Sequence, residues 1–214
     1  MPSALIAGAT GLVGSTLLHQ LLATPAYHRV TALVRRPLSL NHPRLDSRVV
    51  DFDALSDIPP CDDVFCVLGT TIKTAGSQAA FRRVDLEYPF ALALAARAQG
   101  AQFLLVSSVG ADANSRNFYL RTKGELENAL RGLGFPALHI FRPSLLLGHR
   151  AENRPGERVA MAIAPVIAPA LVGSLRRYRP IAATAVARAM VVAAQKAEPG
   201  VHIYHFDEMQ TSAL

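Results

Sequence analysis

The stretch that most constrains the fold lies near the start of the chain. An apolar run, Ala4 to Ala7, passes without a spacer into Gly8-Ala9-Thr10-Gly11-Leu12-Val13-Gly14, and a helix-length apolar segment, Leu12 to Ala23, begins inside that loop. Three glycines wedged between a strand and a helix leave few solutions. Gly8 permits a tight turn, Gly11 lets backbone approach a bound group closely, and Gly14 lets the helix pack on the strand it has just left. Helix N-terminal amides point outward and the helix dipole favours anions there, so the loop reads as a seat for a pyrophosphate. The spacing is G-x-x-G-x-x-G rather than the G-x-G-x-x-G of many dinucleotide sites.

Short apolar runs and helix-length segments alternate beyond it. Strands are expected at Arg29 to Val34, Arg48 to Phe52, Val64 to Leu68, Gln102 to Ser107 and Ala137 to Phe141, with helices over Val84 to Gln99 and Phe118 to Leu133. Continuously apolar strands are covered on both faces, which predicts an α/β fold: a doubly wound parallel sheet of Rossmann type. The segment between the third and fourth strands is too short for a full helix, so a degenerate crossover is expected there. Prolines then punctuate residues 142–183, which read as a small substrate-side lobe; a helix over 184–197 and a strand from Val201 to Phe206 follow. The whole of 1–214 reads as one domain.

Composition narrows the function classes. With 50% hydrophobic and 18% charged residues the chain is neither disordered nor of low complexity. Cys61 and Cys66 lack partners at zinc-ligand spacing, and the seven histidines form no H-x-x-x-H pair, so no metal site is expected. The formal charge of +6 comes almost wholly from arginine, scattered singly or in pairs, which gives no nucleic-acid arm. Val159 to Gly173 is too short and too broken by proline to span a membrane. Without a basic leader region either, the chain is expected to be cytoplasmic, as a monomer or homodimer.

The chemistry-bearing positions fall at the carboxyl ends of the expected strands, where ligands of such sheets bind. The second strand ends in Val34-Arg35-Arg36-Pro37, not in the acid that usually binds a ribose diol, and two guanidinium groups there suit a 2′-phosphate. That favours NADP(H) over NAD(H). Asp51 and Phe52, closing the third strand, are placed to flank the adenine, and Leu68, Gly69 and Thr70, closing the fourth, to run beside a ribose. Ser107 and Ser108 end the fifth strand. Tyr119 and Lys123 follow at i, i+4, on one face of the next helix. A lysine ammonium beside a phenol stabilises phenolate, so such a tyrosine can exchange a proton with a carbonyl oxygen that a serine hydroxyl orients.

Taken together, GATGLVG, LVRRP, CVLGTT, VSSVGAD and YLRTKGELE resemble an atypical short-chain dehydrogenase/reductase over nearly the whole chain. The likeness is strongest to one NADPH-binding group of that family, which also has an FRPxxLL…RPGE segment, here Phe141 to Glu157. The resemblance implies cofactor contact at Thr10, Gly11, Leu12, Val13, Arg35, Arg36, Leu68, Gly69, Tyr119 and Lys123, extending to Leu146 and Arg154. It places the catalytic serine at Ser108, with Ser107 as the fallback. The region Val159 to Arg179 departs from that group, so no substrate carries over. The leading reading is an NADPH-dependent oxidoreductase acting on a small carbonyl or alcohol. The rival from another class is an NADP(H)-binding redox sensor or scaffold without turnover, and a nucleotide-sugar epimerase would need a larger C-terminal lobe.

Overall fold

A computed structural model describes residues 1–148 and 171–211. Its main sheet has seven strands: β1 Ser3–Ala7, β2 Arg29–Val34, β3 Leu45–Val49, β4 Asp63–Cys66, β5 Gln102–Val106, β6 Ala137–Phe141 and β9 Gly200–Tyr204. Their order is β3-β2-β1-β4-β5-β6-β9, and every pairing is parallel. A two-stranded parallel sheet joins β7 Leu146–Leu147 to β8 Ile181–Ala182. The apolar runs of β1 and β6 are buried at every residue, as a sheet sandwiched between helices requires.

One face is covered by α1 (Leu12–Ala23) and α6 (Ala183–Lys196), through Leu17, Leu21, Val186 and Met190. The other is covered by α4 (Tyr88–Ala98) and α5 (Phe118–Gly132), through Leu92, Ala96, Leu126 and Leu130. The order in which strands are added reverses between β1 and β4, and the carboxyl ends of the strands at such a switch point are where doubly wound sheets hold ligands.

Two elements differ from expectation. The third strand is Leu45–Val49, not Arg48 to Phe52. It is the sheet edge, with Ser47, Arg48 and Val49 exposed, so burial does not mark it with an apolar run. Phe52 instead opens a 3-10 turn, Phe52–Ala54, which is the short crossover before β4. The helix expected over Val84 to Gln99 is broken into α3 (Gln78–Arg82), a π-turn (Arg83–Glu87) and α4, with a short α2 (Ile72–Ala75) ahead of them. Pro89 is the physical reason: it has no N–H to give back to Asp85, and the preceding Tyr88 N–H reaches Arg83 O, five residues back. Within 142–183, the described part holds β7, a 3-10 turn at Gly173–Tyr178 and β8. Residues 149–170, which include Arg154 and most of the apolar stretch from Val159, lie outside the described residues.

The β6–β9 pairing carries a titratable core group. His139 is fully buried, pairs through Nδ1 with the Tyr204 hydroxyl at 2.9 Å, and stacks on His202 at 5.1 Å. Burial, then the neighbouring His202, push its pKa down from 6.5 to about 4. As pH falls the unfolded chain therefore takes up this proton first, and stability present above pH 6.5 is lost between there and pH 4. The expected loss is up to about 3 kcal/mol, at about 1.4 kcal/mol per pH unit. Urea midpoints across that window check it: the slope should flatten in His139→Phe.

Candidate functional site

The glycine loop is held by close backbone approach. Gly8 has φ of +97°, and a side chain there would meet Val67 O at 2.5 Å. A Cβ on Gly14 would lie 2.0 Å from Gly8 O. Gly14→Ala must therefore displace the loop; the expected cost is about 1–3 kcal/mol of stability, read from urea unfolding, together with loss of dinucleotide binding by titration. Gly11 is the N-cap of α1 and offers no side chain to its first turn, which contains no acid. Those amides remain available to an anion. Thr10 and Gly11 are exposed, whereas the Leu12 and Val13 side chains are buried, so the last two have only backbone to offer a ligand. Gly148 sits against Leu12, where an added Cβ would be 2.7 Å from Leu12 Cδ1, so the chain just after Leu146 passes over the loop.

Arg35 and Arg36 are exposed at the end of β2, and neither makes a hydrogen bond or ion pair with another described residue. Among the described residues, nothing neutralises their charges. Asp51 is exposed and its carboxylate accepts from Asp53 N at 3.0 Å. The Phe52 ring is turned into the core against Tyr88, with centroids 5.6 Å apart. The expectation that Phe52 lies beside an adenine is corrected to this extent: its ring is a core group, because the 3-10 turn directs it under the sheet edge.

The two serines have different employment. Ser107 is buried, and its Oγ donates to Glu127 Oε1 at 2.6 Å. Glu127, also buried, takes Arg142 Nε at 3.0 Å and Nη2 at 2.5 Å, and Arg131 at 3.4 Å. Ser107 therefore belongs to a closed polar cluster joining β5, α5 and β6. Ser108 is half-buried, and among the described residues its hydroxyl has only a long contact of 3.3 Å to Val109 O. After Ser108 the chain folds back on α5: Asp112 N bonds Leu120 O at 3.2 Å, one residue beyond Tyr119.

Tyr119 is half-buried at the start of α5, its ring 5.6 Å from that of Phe81. One turn on, Lys123 is buried, and its Nζ lies 2.7 Å from Asp85 Oδ1. Burial opposes the ammonium charge, but Asp85 and then Tyr119 outweigh it and hold the proton above lysine's ordinary range. Asp85 Oδ2 accepts from Thr70 N at 2.8 Å, in the Leu68-Gly69-Thr70 loop. Nearby, Cys66 closes β4 fully buried, its thiol pushed up to about 12 by that burial.

Asp85 is absent from the sequence-based set of site residues. The signal was present: Asp85, Pro89, Leu92 and Ala96 recur at helical spacing and all are buried. An acid on the stripe that faces the core requires a buried partner. Metal clusters are absent among the described residues, and no described helix is long and apolar enough to cross a membrane.

A family model described as NAD(P)H-binding matches residues 8–152. Protein HTATIP2 of Rattus norvegicus is 40% identical over 166 residues, which cover 74% of this chain and 68% of that protein. Protein fmp52, mitochondrial, of Emericella nidulans is 36% identical over 171 residues, or 75% of this chain and 73% of that one. Among solved structures, the human epimerase family protein SDR39U1 with NADPH superposes with a TM-score of 0.63 at 20% identity, covering 95% of this chain and 74% of that chain. Other neighbours of the same fold hold NAD. The fungal relatives, at 33–36% identity, are named mitochondrial, which overturns the cytoplasmic expectation. Matched over most of its length by the NAD(P)H-binding model and by HTATIP2, the chain belongs to the NAD(P)-binding Rossmann superfamily, among the atypical short-chain dehydrogenases/reductases.

Proposed function

We propose that the protein is an NADPH-dependent oxidoreductase that moves a hydride between the nicotinamide and a small carbonyl or alcohol substrate. The observation that carries this reading is the Tyr119 and Lys123 pair, a half-buried phenol one helical turn from a buried, charged ammonium at the carboxyl end of the sheet. The residues present fit the cofactor: uncapped amides at the start of α1, a cradle at Gly8 and Gly14 that a Cβ would fill, and two guanidinium groups after β2 that pair with no described residue. When bound, the dinucleotide supplies or takes the hydride at its nicotinamide.

The chain's own residues do the rest. Leu12 and Val13 amides receive the pyrophosphate, and Arg35 and Arg36 the 2′-phosphate. Leu68, Gly69 and Thr70 border a ribose. Ser108 presents a hydroxyl to orient the substrate oxygen, whereas the Ser107 hydroxyl is taken by Glu127. The Tyr119 hydroxyl gives its proton to that oxygen in reduction and takes it back in oxidation. Lys123 sets the charge beside the phenol.

Two measurements test the reading. Fluorescence titration should show tighter binding of NADPH than of NADH, and equal curves would remove the phosphate assignment. A screen of small aldehydes, ketones and alcohols should find consumption or formation of NADPH; tight NADPH binding with no turnover across the screen would leave a binding protein and overturn the chemistry.

A further inference from the structure

Asp85 holds two different things at once. Its carboxylate is 1% exposed; Oδ1 meets Lys123 Nζ at 2.7 Å and Oδ2 meets Thr70 N at 2.8 Å. Lys123 comes from α5, and Thr70 from the loop that leaves β4. Gly69 closes over the pair, since a Cβ there would stand 3.5 Å from Asp85 Oδ1 and 3.9 Å from Lys123 Nζ. The acid itself sits on the π-turn that Pro89 opens between α3 and α4. Single π-turns inside helical segments often occur at functional sites. Here the turn carries an acid on the buried stripe, where only a full set of partners offsets the cost of desolvating it.

We propose that Asp85 is a positioning residue, whose carboxylate locks the Lys123 ammonium and the Leu68-Gly69-Thr70 loop into one unit beneath the nicotinamide-ribose end of the site. The inference rests on the dinucleotide reading of that loop and adds a residue which no motif assigned. Two consequences follow. Lys123 acts on Tyr119 not as a bare cation but as half of an ion pair, so the field at the phenol is weaker than the i, i+4 spacing alone implies. The buried lysine also stays protonated because of Asp85, because burial alone favours the neutral amine. The other titratable groups facing Nζ are Tyr119 on its own helix and Cys66 at the end of β4.

The chain makes the test simple, because it has only three lysines, and Lys73 and Lys196 are exposed. In full-length protein carrying isotope-labelled lysine, three side-chain NMR signals are followed against pH, Lys123 being assigned by its loss in Lys123→Ala. In the unmodified protein, Lys123 is expected to keep its proton to a higher pH than the two exposed lysines. In Asp85→Asn its proton affinity should fall at least tenfold, a full pH unit, while Lys73 and Lys196 do not move. Glu87→Gln, which removes an exposed charge from the same turn, should leave Lys123 unchanged. NADPH should bind at least tenfold more weakly to Asp85→Asn.

An unmoved Lys123 midpoint in folded Asp85→Asn overturns the proposal. So does unmodified protein in which Lys123 loses its proton before the exposed lysines, a result that stands even where the variant does not fold. Unchanged NADPH affinity in a folded variant overturns the link to the loop. The lysine titration needs no cofactor or substrate, so a failed carbonyl screen sinks the oxidoreductase reading and leaves this one intact.

Discussion

Tyr119→Phe is expected to lower turnover by about 10²–10⁴-fold while leaving NADPH affinity almost unchanged. The phenyl ring keeps its packing against Phe81, 5.6 Å away, so only the transferable proton is lost. Lys123→Ala should behave differently. Removing the ammonium leaves Asp85 buried without its ion partner, and should weaken both the phenol's electrostatic support and the cofactor contact proposed for this lysine. Turnover and NADPH affinity should therefore fall together in that variant. Steady-state rates with a substrate from the screen, set beside fluorescence titrations, separate the two cases. Retained turnover in Tyr119→Phe would remove Tyr119 from the proton-transfer role.

The second large effect is on cofactor choice. Changing Arg35 and Arg36 together to Ala should cost about 2–4 kcal/mol of the preference for NADPH, the range for charge-assisted contacts to a phosphate. In dissociation constants this is roughly 30- to 1,000-fold, with NADH binding little altered. The two side chains are exposed, so the preference in the unmodified protein should also shrink as salt rises. A double variant that still prefers NADPH by the original margin would move the 2′-phosphate elsewhere.

The elements legible in the sequence are those where burial and local pattern agree. β2 and β6 lie at Arg29–Val34 and Ala137–Phe141 as the apolar runs indicate, and α1 spans Leu12–Ala23. β3 was misplaced because an edge strand has little burial to record, and the apolar residues that follow it belong to the chain's re-entry into the core. The spacing over Val84 to Gln99 is helical throughout and so predicts one continuous helix, whereas the π-turn depends on a missing N–H at Pro89. In the site, Tyr119 and Lys123 were legible from spacing along one helix. The division of labour between Ser107 and Ser108 was not, since it is decided by Glu127 on α5 and Arg142 after β6. Asp85 escaped notice for the same reason: its partners are fifteen and thirty-eight residues away in the chain, and only the folded sheet brings them to it.

The burial of Cys66 has a bearing on how such a protein could respond to oxidants. Its thiol is pushed up to about 12 by burial, and that of Cys61, the chain's other cysteine, to about 12 by burial and the acids beside it. Near pH 7 each therefore stays a neutral thiol, and the thiolate is the form that attacks peroxides and disulfides. Neither cysteine is thus primed to register oxidation directly. On the proposed dinucleotide-binding reading, the surrounding redox state would act on it through the ratio of reduced to oxidised dinucleotide.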